Sequence, residues 1–284
     1  MRQKTFPSPA KINLCLHVLG RRLDGYHELA MAMQRVALYD DVLIRAAAAS
    51  DRQIAVRCAG VQLAEGEENI AARAARLLLE AAGAGAQVTI DIDKRIPVAA
   101  GLGGGSSNAA TVLLGLNELL ELGLTQDDLQ ELGGRLGADV PFFVFQRPAW
   151  ATGIGTRLAP LPALPQFACV LVNPGISVST AEVYQSLQLT KGGELASLPR
   201  FSVVTREDLC HALHNDLEAV TLPRYSQLRQ IKAELLKAGA LGALMSGSGA
   251  TVFGLFEDLP SAESAARGMQ GDHGWWARAV LPLA

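Results

Sequence analysis

The chain has 284 residues, 49% of them apolar and 19% charged, with 25 basic residues against 28 acidic ones. That balance belongs to a globular chain with enough core for one large or two moderate domains, and it excludes wholesale disorder. The formal charge of −3 comes without any long basic run, so nucleic acid would find no electrostatic footprint.

Cys15, Cys58, Cys169 and Cys210 lie far apart with no CxxC pair, which argues against a zinc site or a disulfide framework and for a reducing compartment. The basic start "MRQKTFPSPAKINLCLHV" is interrupted by two prolines and a lysine, so it is not expected to act as a secretory signal, and the expected location is cytoplasmic. Two uncharged windows, 96–117 and 238–256, each contain five glycines and therefore read as glycine loops between buried elements rather than as membrane spans.

In chain order, Ile12, Leu14, Leu16 and Val18 alternate with polar positions, predicting a half-buried strand with Lys11 and Asn13 on the face away from the core. Turn residues follow from Arg21 to Gly25, then strands at Leu29–Met33 and Ile54–Cys58. Asn69 is the expected N-cap of a helix that Gly83 stops. Val88, Ile90 and Ile92 predict a strand running into the glycine segment, with a helix from about Ser107 to Leu122. A second helix starts at Thr125, where Asp128 suits a capping box. "APLPALPQ", 159–166, is the linker candidate. Beyond it come a strand at Cys169–Val172, helices opening at "STAEVY" and at Thr205, and a helix over "YSQLRQIKAELLKAG". Two strands flank Gly247–Gly249, a helix begins at Ser261, and a strand runs through Trp276, Arg278 and Val280. Strands and helices mix without a βαβ beat, which predicts an α+β fold.

"IPVAAGLGGGSSNAATVLLGLN" is where chemistry is concentrated. Strand, glycine loop and helix start form a recipe for gripping phosphate, because loop and first-turn N–H groups point outward with the positive end of the helix dipole behind them. A neighbourhood without charge avoids repelling a triphosphate. The loop is not a Walker motif, since no lysine follows Gly105, and GxGxxG fails at Ser106.

"PVAAGLGGGSSNAA" resembles the phosphate loop of the GHMP kinases, and that superfamily's other two motifs stand in order as "PAKINLCL" (9–16) and "SGSGAT" (246–251). "DGYHEL" (24–29) and "LGADVPFF" (136–143) are similar to the branch that phosphorylates a cytidylylated methylerythritol in non-mevalonate isoprenoid synthesis. The resemblance implies two α+β domains: 1–160, an ATP-binding domain like domain 2 of ribosomal protein S5, and 161–284 on the substrate side. It implies ATP with Mg²⁺, transfer of the γ-phosphoryl group to the 2-hydroxyl of 4-diphosphocytidyl-2-C-methyl-D-erythritol, a small-molecule partner only, and no nucleic acid or membrane. The rival readings are a GHMP kinase for homoserine or a mevalonate derivative, and a non-catalytic nucleotide-binding relative.

Carried over residue by residue, the resemblance makes Lys11 and Asp139 the catalytic pair. It gives the nucleotide Asn69, Lys94, Pro97, Val98, Ala99, Ala100, Gly101, Leu102, Gly103, Gly104, Gly105, Ser106 and Ser107. Asn13, Tyr26, His27, Thr180 and Tyr184 fall to the acceptor, His27 reading the cytosine edge while Tyr26 and Tyr184 sandwich the ring. Gly247, Ser248 and Gly249 form the second glycine turn. Ser107 and Asp139 are candidate Mg²⁺ ligands, most of the metal's coordination coming from phosphate oxygens. Val98, Ala99 and Ala100 stand where relatives often carry more glycine. "HNDLE" at 214–218 is similar to a common GHMP segment and reads as structural, while His211 and His214 read as a polar helix face.

A carboxylate with an ordinary pKa near 3.9 cannot fully deprotonate an alcohol near 15–16, because a gap of roughly 12 units is ~16 kcal/mol. Asp139 is therefore expected to aim the hydroxyl and take its proton late, with Lys11 stabilising the transferring group.

Overall fold

The structure, a computed structural model, describes residues 1–59, 68–187 and 201–284. In chain order the elements are β1 (Arg2–Arg21), β2 (His27–Ala48), β3 (Arg52–Cys58), α1 (Ile70–Ala81), β4 (Ala86–Asp93), α2 (Gly104–Leu120), α3 (Gln126–Leu136), α4 (Val140–Phe145), β5 (Ala149–Gly153) and β6 (Arg157–Pro160). Then come β7 (Ala168–Asn173), α5 (Thr180–Ser186), α6 (Arg206–His211), β8 (His214–Asn215), α7 (Glu218–Arg224), α8 (Ser226–Lys237), β9 (Gly242–Met245), β10 (Val252–Phe256), α9 (Leu259–His273) and β11 (Trp276–Val280).

Backbone contacts divide the chain into two units that are discontinuous in sequence, where the expectation was a single cut at residue 160. The first comprises Met1–Ala10, Leu38–Val98 and Gly103–Gln146, and the second Lys11–Ala37, Ala99–Leu102 and Arg147–Ala284. The reason is strand length. At 20 and 22 residues, β1 and β2 far exceed the usual five or six, so each strand serves both units.

In the first unit, the distal half of β2 pairs antiparallel with β4, Ile44 opposite Ile90, and β4 pairs parallel with β3, Val88 opposite Ile54. Every second residue of β4 is buried, from Ala86 to Ile92. Helices α1, α2, α3 and α4 pack on one another, and α1 also packs on β3 and β4. Their shared interior includes Leu78, Leu79, Val112, Leu116 and Phe142, all fully or almost fully buried and each contributing roughly 1.5–3 kcal/mol by leaving water. The helix ends follow sequence rules. Asn69 Oδ1 accepts the Ala71 N–H at 2.9 Å, and Thr125 with Asp128 closes the expected capping box.

In the second unit, the proximal half of β2 pairs with β5, Met31 opposite Ala151, and β5 continues into β6. A separate four-stranded antiparallel sheet runs β11-β7-β10-β9, with α8 and α9 packed on it. Central strands β7 and β10 are buried at every position, which is why they appear as continuous apolar runs rather than alternating ones. The tail returns to β2, Ala37 N donating to Leu281 O and Leu283 N to Arg35 O.

One strand departs from expectation. From Ala10 to Leu16 β1 is buried on both faces, and Lys11 and Asn13 are 4% and 1% exposed. The polar face of the strand is roofed: a Cβ placed on Gly247 would sit 3.6 Å from Lys11 Nζ. His211 and His214 do not share a helix either, since α6 ends at His211 and His214 opens β8.

Candidate active site

The first unit, taken by itself, holds a helix start. α2 begins at Gly104, three residues earlier than its glycines suggested, because Gly103 takes the turn itself in the left-handed conformation (φ 70°, ψ 17°). No side chain caps the helix and no acidic residue stands in its first turn. Ser107 N donates to Gly103 O at 2.9 Å, whereas the N–H groups of Gly104, Gly105 and Ser106 have no acceptor within the helix. Gly105 is exposed and Ser106 half-exposed, so these donors open on an accessible surface suited to an anion.

Beneath that surface lies a buried polar lattice. Asp40, fully buried, accepts Arg95 N at 2.8 Å and Ile96 N at 2.9 Å on Oδ1, and Asn108 Nδ2 at 2.9 Å and the Lys94 ammonium on Oδ2. Lys94 also donates to Asn108 Oδ1 at 3.2 Å. Asn108 Nδ2 reaches Ser8 Oγ at 2.9 Å, and Ser8 in turn donates to Ser107 Oγ at 2.8 Å. One carboxylate thus ties the backbone leading into the glycine loop to the second turn of the helix leaving it. Lys94 faces inward, its side chain 11% exposed, and Ser107 points into the protein; Ser106 is the serine at the accessible end.

Asp139 is the residue before α4, in a helical turn conformation (φ −84°, ψ −13°), and its side chain does not cap that helix. The turn that carries it abuts the start of α2, since a Cβ on Gly137 would lie 4.0 Å from Ser106 Oγ. Asn69 stands close as well, its neighbour Ile70 placing Cγ2 3.9 Å from where a Cβ on Gly105 would be.

The second unit, taken by itself, holds the loop's first half and the residues expected to meet the acceptor. Lys11 Nζ donates to Asn13 Oδ1 at 2.6 Å, and Lys11 N donates to Leu102 O at 3.0 Å, the residue immediately before the cap of α2. Gly101 (φ +75°) admits no side chain: a Cβ would fall 2.1 Å from Ser246 O. Ser246 Oγ donates to Gly101 O at 2.9 Å and Thr251 N to Ala100 O at 3.2 Å, so the second glycine turn clamps the first loop. Ala99, exposed, sits at φ 52°, a conformation glycine would take without strain.

The turn itself is held by Asn215, whose Nδ2 donates to Met245 O and Gly247 O at 2.8 Å each, and by Thr180, whose Oγ1 lies 2.7 Å from Ser248 Oγ. The structural reading of "HNDLE" matches this role for Asn215.

Four residues from Thr180 on α5, Tyr184 shares its helix face and stacks on His27, ring centroids 5.1 Å apart at 29°. His27 titrates below its ordinary 6.5, chiefly because burial disfavours the cation and secondarily because Arg21 repels it. Tyr26 is 61% exposed. Its loop is clamped by Arg22, which pairs with Asp24 and Glu28 and donates its backbone N–H to Tyr26 O at 2.8 Å.

Sequence reasoning missed Asp40, Asn108, Ser8 and Arg22. For Asp40 a signal existed: it shares strand parity with Val42, Ile44 and Ala46, all buried, which places a carboxylate on the core face of β2.

The GHMP kinases N terminal domain model matches residues 69–147 and the GHMP kinases C terminal model residues 197–274. The 4-diphosphocytidyl-2-C-methyl-D-erythritol kinase of Syntrophotalea carbinolica is 55% identical over 280 residues, covering 99% of both chains. The enzyme of the same name from Pelobacter propionicus is 52% identical over the full length of both. A crystal structure of a 4-(cytidine 5'-diphospho)-2C-methyl-D-erythritol kinase superposes with TM-score 0.79 at 37% identity, covering 99% of this chain and 100% of its own. Homoserine kinase from Cytophaga hutchinsonii shares the fold (TM-score 0.75) at only 18% identity. Identity of this level along the entire chain means that it belongs to the 4-diphosphocytidyl-2-C-methyl-D-erythritol kinase family of the GHMP kinases.

Proposed function

We propose that the chain transfers the γ-phosphoryl group of ATP to the 2-hydroxyl of 4-diphosphocytidyl-2-C-methyl-D-erythritol. The observation that carries this is the uncapped, acid-free start of α2 in a chain whose full-length relatives bear that name. The N–H groups of Gly104, Gly105 and Ser106, with the helix dipole behind them, suit the phosphate chain of the nucleotide.

Lys11 and Asp139 act on the transfer itself. Asp139 accepts a hydrogen bond from the acceptor hydroxyl and orients its oxygen toward the γ-phosphorus. As the new O–P bond forms and the bond to the β-phosphate oxygen breaks, the proton passes to the Asp139 carboxylate and ADP leaves. Lys11 offsets charge on the phosphoryl oxygens, its reach limited by the bond to Asn13. The donor set also fits Mg²⁺: Ser106 and Asp139 supply hard oxygen ligands, the hydroxyl of Ser107 being engaged with Ser8. Mg²⁺, when bound, neutralises phosphate charge.

His27, neutral at pH 7, offers one donor and one acceptor nitrogen to a cytosine edge, and Tyr184 and Tyr26 supply flat faces. That aromatic–histidine group favours a cytidylylated acceptor over homoserine or mevalonate. The test is an incubation with ATP, Mg²⁺ and each of three acceptors: the cytidylylated alcohol, homoserine and mevalonate. ADP and a phosphorylated product are expected with the first alone. Turnover of either small alcohol in its place would overturn the assignment.

A further inference from the structure

We infer that His17, His214 and Asp216 form a binding site for one borderline divalent transition ion, with Zn²⁺ as the reference ligand, using none of the residues assigned to nucleotide or acceptor. Among the described residues this is the one group of three metal-type side chains whose ligand atoms all lie within 4.8 Å of one another.

The two histidines are distant in sequence and are brought together by backbone pairing. β8 runs parallel to β1 with His214 opposite Cys15 and Asn215 opposite Leu16, and the ladder continues through Asp216 N donating to Leu16 O at 3.1 Å. Asp216 Oδ2 accepts Val18 N at 2.7 Å, which pins the carboxylate beside β1 and turns Oδ1 toward His214 Nε2, also 2.7 Å away. The imidazoles of His17 and His214 are stacked, centroids 4.5 Å apart at 14°. The Asp216 carboxylate is therefore fixed to the β1 backbone, His214 is held by Asp216, and His17 stacks on His214.

A tetrahedral Zn²⁺ with bonds of about 2.0–2.2 Å separates its donor atoms by roughly 3.3–3.5 Å. The His214–Asp216 pair, now 2.7 Å apart, must open by roughly 0.6–0.8 Å to admit it. The stack must also splay, because the lone pairs of parallel rings do not converge. His214 can make that movement: its side chain is 48% exposed, while His17 is half-buried and stays as the anchor. His17 and His214 line a cavity of about 280 Å³ whose wall includes Trp150, Phe201 and His211, leaving room for water as a fourth ligand. Two imidazoles and one carboxylate select Zn²⁺, Co²⁺, Ni²⁺ or Cu²⁺ over Mg²⁺, which prefers oxygen donors. An ion there would staple two-residue β8 to β1.

The experiment is equilibrium dialysis of the full chain, stripped of metal, against Zn²⁺ at neutral pH, with the melting temperature followed in parallel. The expected result is one ion per chain, a higher melting temperature in Zn²⁺, and no displacement by a large excess of Mg²⁺. His214→Gln, at an exposed position that leaves the fold intact by circular dichroism, should lower Zn²⁺ affinity at least tenfold. His17→Gln should do the same, whereas His273→Gln should change nothing. Co²⁺ should give a visible absorption band in the parent that both His17→Gln and His214→Gln lose. Absence of stoichiometric Zn²⁺ uptake by the parent, displacement by Mg²⁺, or equal uptake by His214→Gln would overturn the site.

Discussion

The start of α2 and the His27 loop are built to different standards. Under the helix start every polar group is paired in a lattice closed around fully buried Asp40. Around His27 the restraints lie at the surface: Arg22 bridges Asp24 and Glu28 in water, and Tyr26 stands 61% exposed. The difference follows the ligand chemistry. Transferring phosphoryl charge is stabilised by dipoles that do not reorganise during the reaction, so their support is buried. A nucleobase brings its own flat apolar faces, so side chains that order on contact suffice. Exposed ion pairs are weakened by water and salt, and they hold the loop's average shape rather than a single geometry.

Breaking the phosphate side should therefore cost most. Asp139→Asn keeps size and can still meet a hydroxyl, but it cannot take the proton. The expected loss in kcat is on the order of 10²–10⁴-fold, with nucleotide affinity nearly unchanged. Steady-state kinetics beside nucleotide titration separates the two, and a mutant with parental kcat would remove Asp139 from the chemistry.

Asp40→Asn acts through the fold instead. The amide cannot receive all four donors, and it leaves the Lys94 ammonium without its counter-charge at an 11% exposed position. Removing one partner of a buried pair costs roughly 3–5 kcal/mol, which urea unfolding would report as a lower midpoint. KM for ATP should rise while kcat at saturation changes less. Adding Lys94→Met should recover part of the stability, because an apolar side chain removes the stranded charge. If the double variant is no more stable than the single one, the lattice is not centred on this pair.

The acceptor side should break more gently and with a pH signature. His27→Ala or Tyr26→Ala should raise KM for the cytidylylated acceptor roughly ten- to a hundredfold, the range for removing one stacking or edge contact to a base. In the parent, KM should be flat above pH 7 and rise only at a pH below the ordinary histidine value of 6.5, as His27 gains a proton and loses its acceptor nitrogen. Stability moves the same way. The histidine is harder to protonate folded than unfolded, so the unfolded chain takes up the proton first as pH falls below 6.5, and stability declines there. His27→Gln should abolish the pH-dependent rise in KM.

These contrasts also explain what the sequence disclosed. Caps and periodicity are local, so Asn69, the Thr125 box and the alternation in β4 were legible. The buried side of Lys11 was not, because the roof over it comes from Gly247, 236 residues away along the chain. The Asp40 lattice is long-range too, joining residues 8, 40, 94 and 108, although strand parity alone marked Asp40 as facing the core. The early start of α2 was obscured because glycine disfavours helix by about 1 kcal/mol per residue, a preference that the Gly103 turn overrides.

The smallest effect tests the glycine loop's own shape. Ala99 occupies φ 52° at an exposed position, where an L side chain crowds the following carbonyl at a cost of about 1–2 kcal/mol. Ala99→Gly removes that strain but enlarges the conformational freedom of the unfolded chain, offsetting roughly 0.4–1 kcal/mol of the gain. The net expectation is a rise of about 1–2 °C in melting temperature, measured by calorimetry. The loop is clamped at Ala100 and Gly101 by Thr251 and Ser246, so KM for ATP should stay within about twofold of the parent. A melting temperature that falls instead would mean that Ala99 does not hold the left-handed conformation in solution.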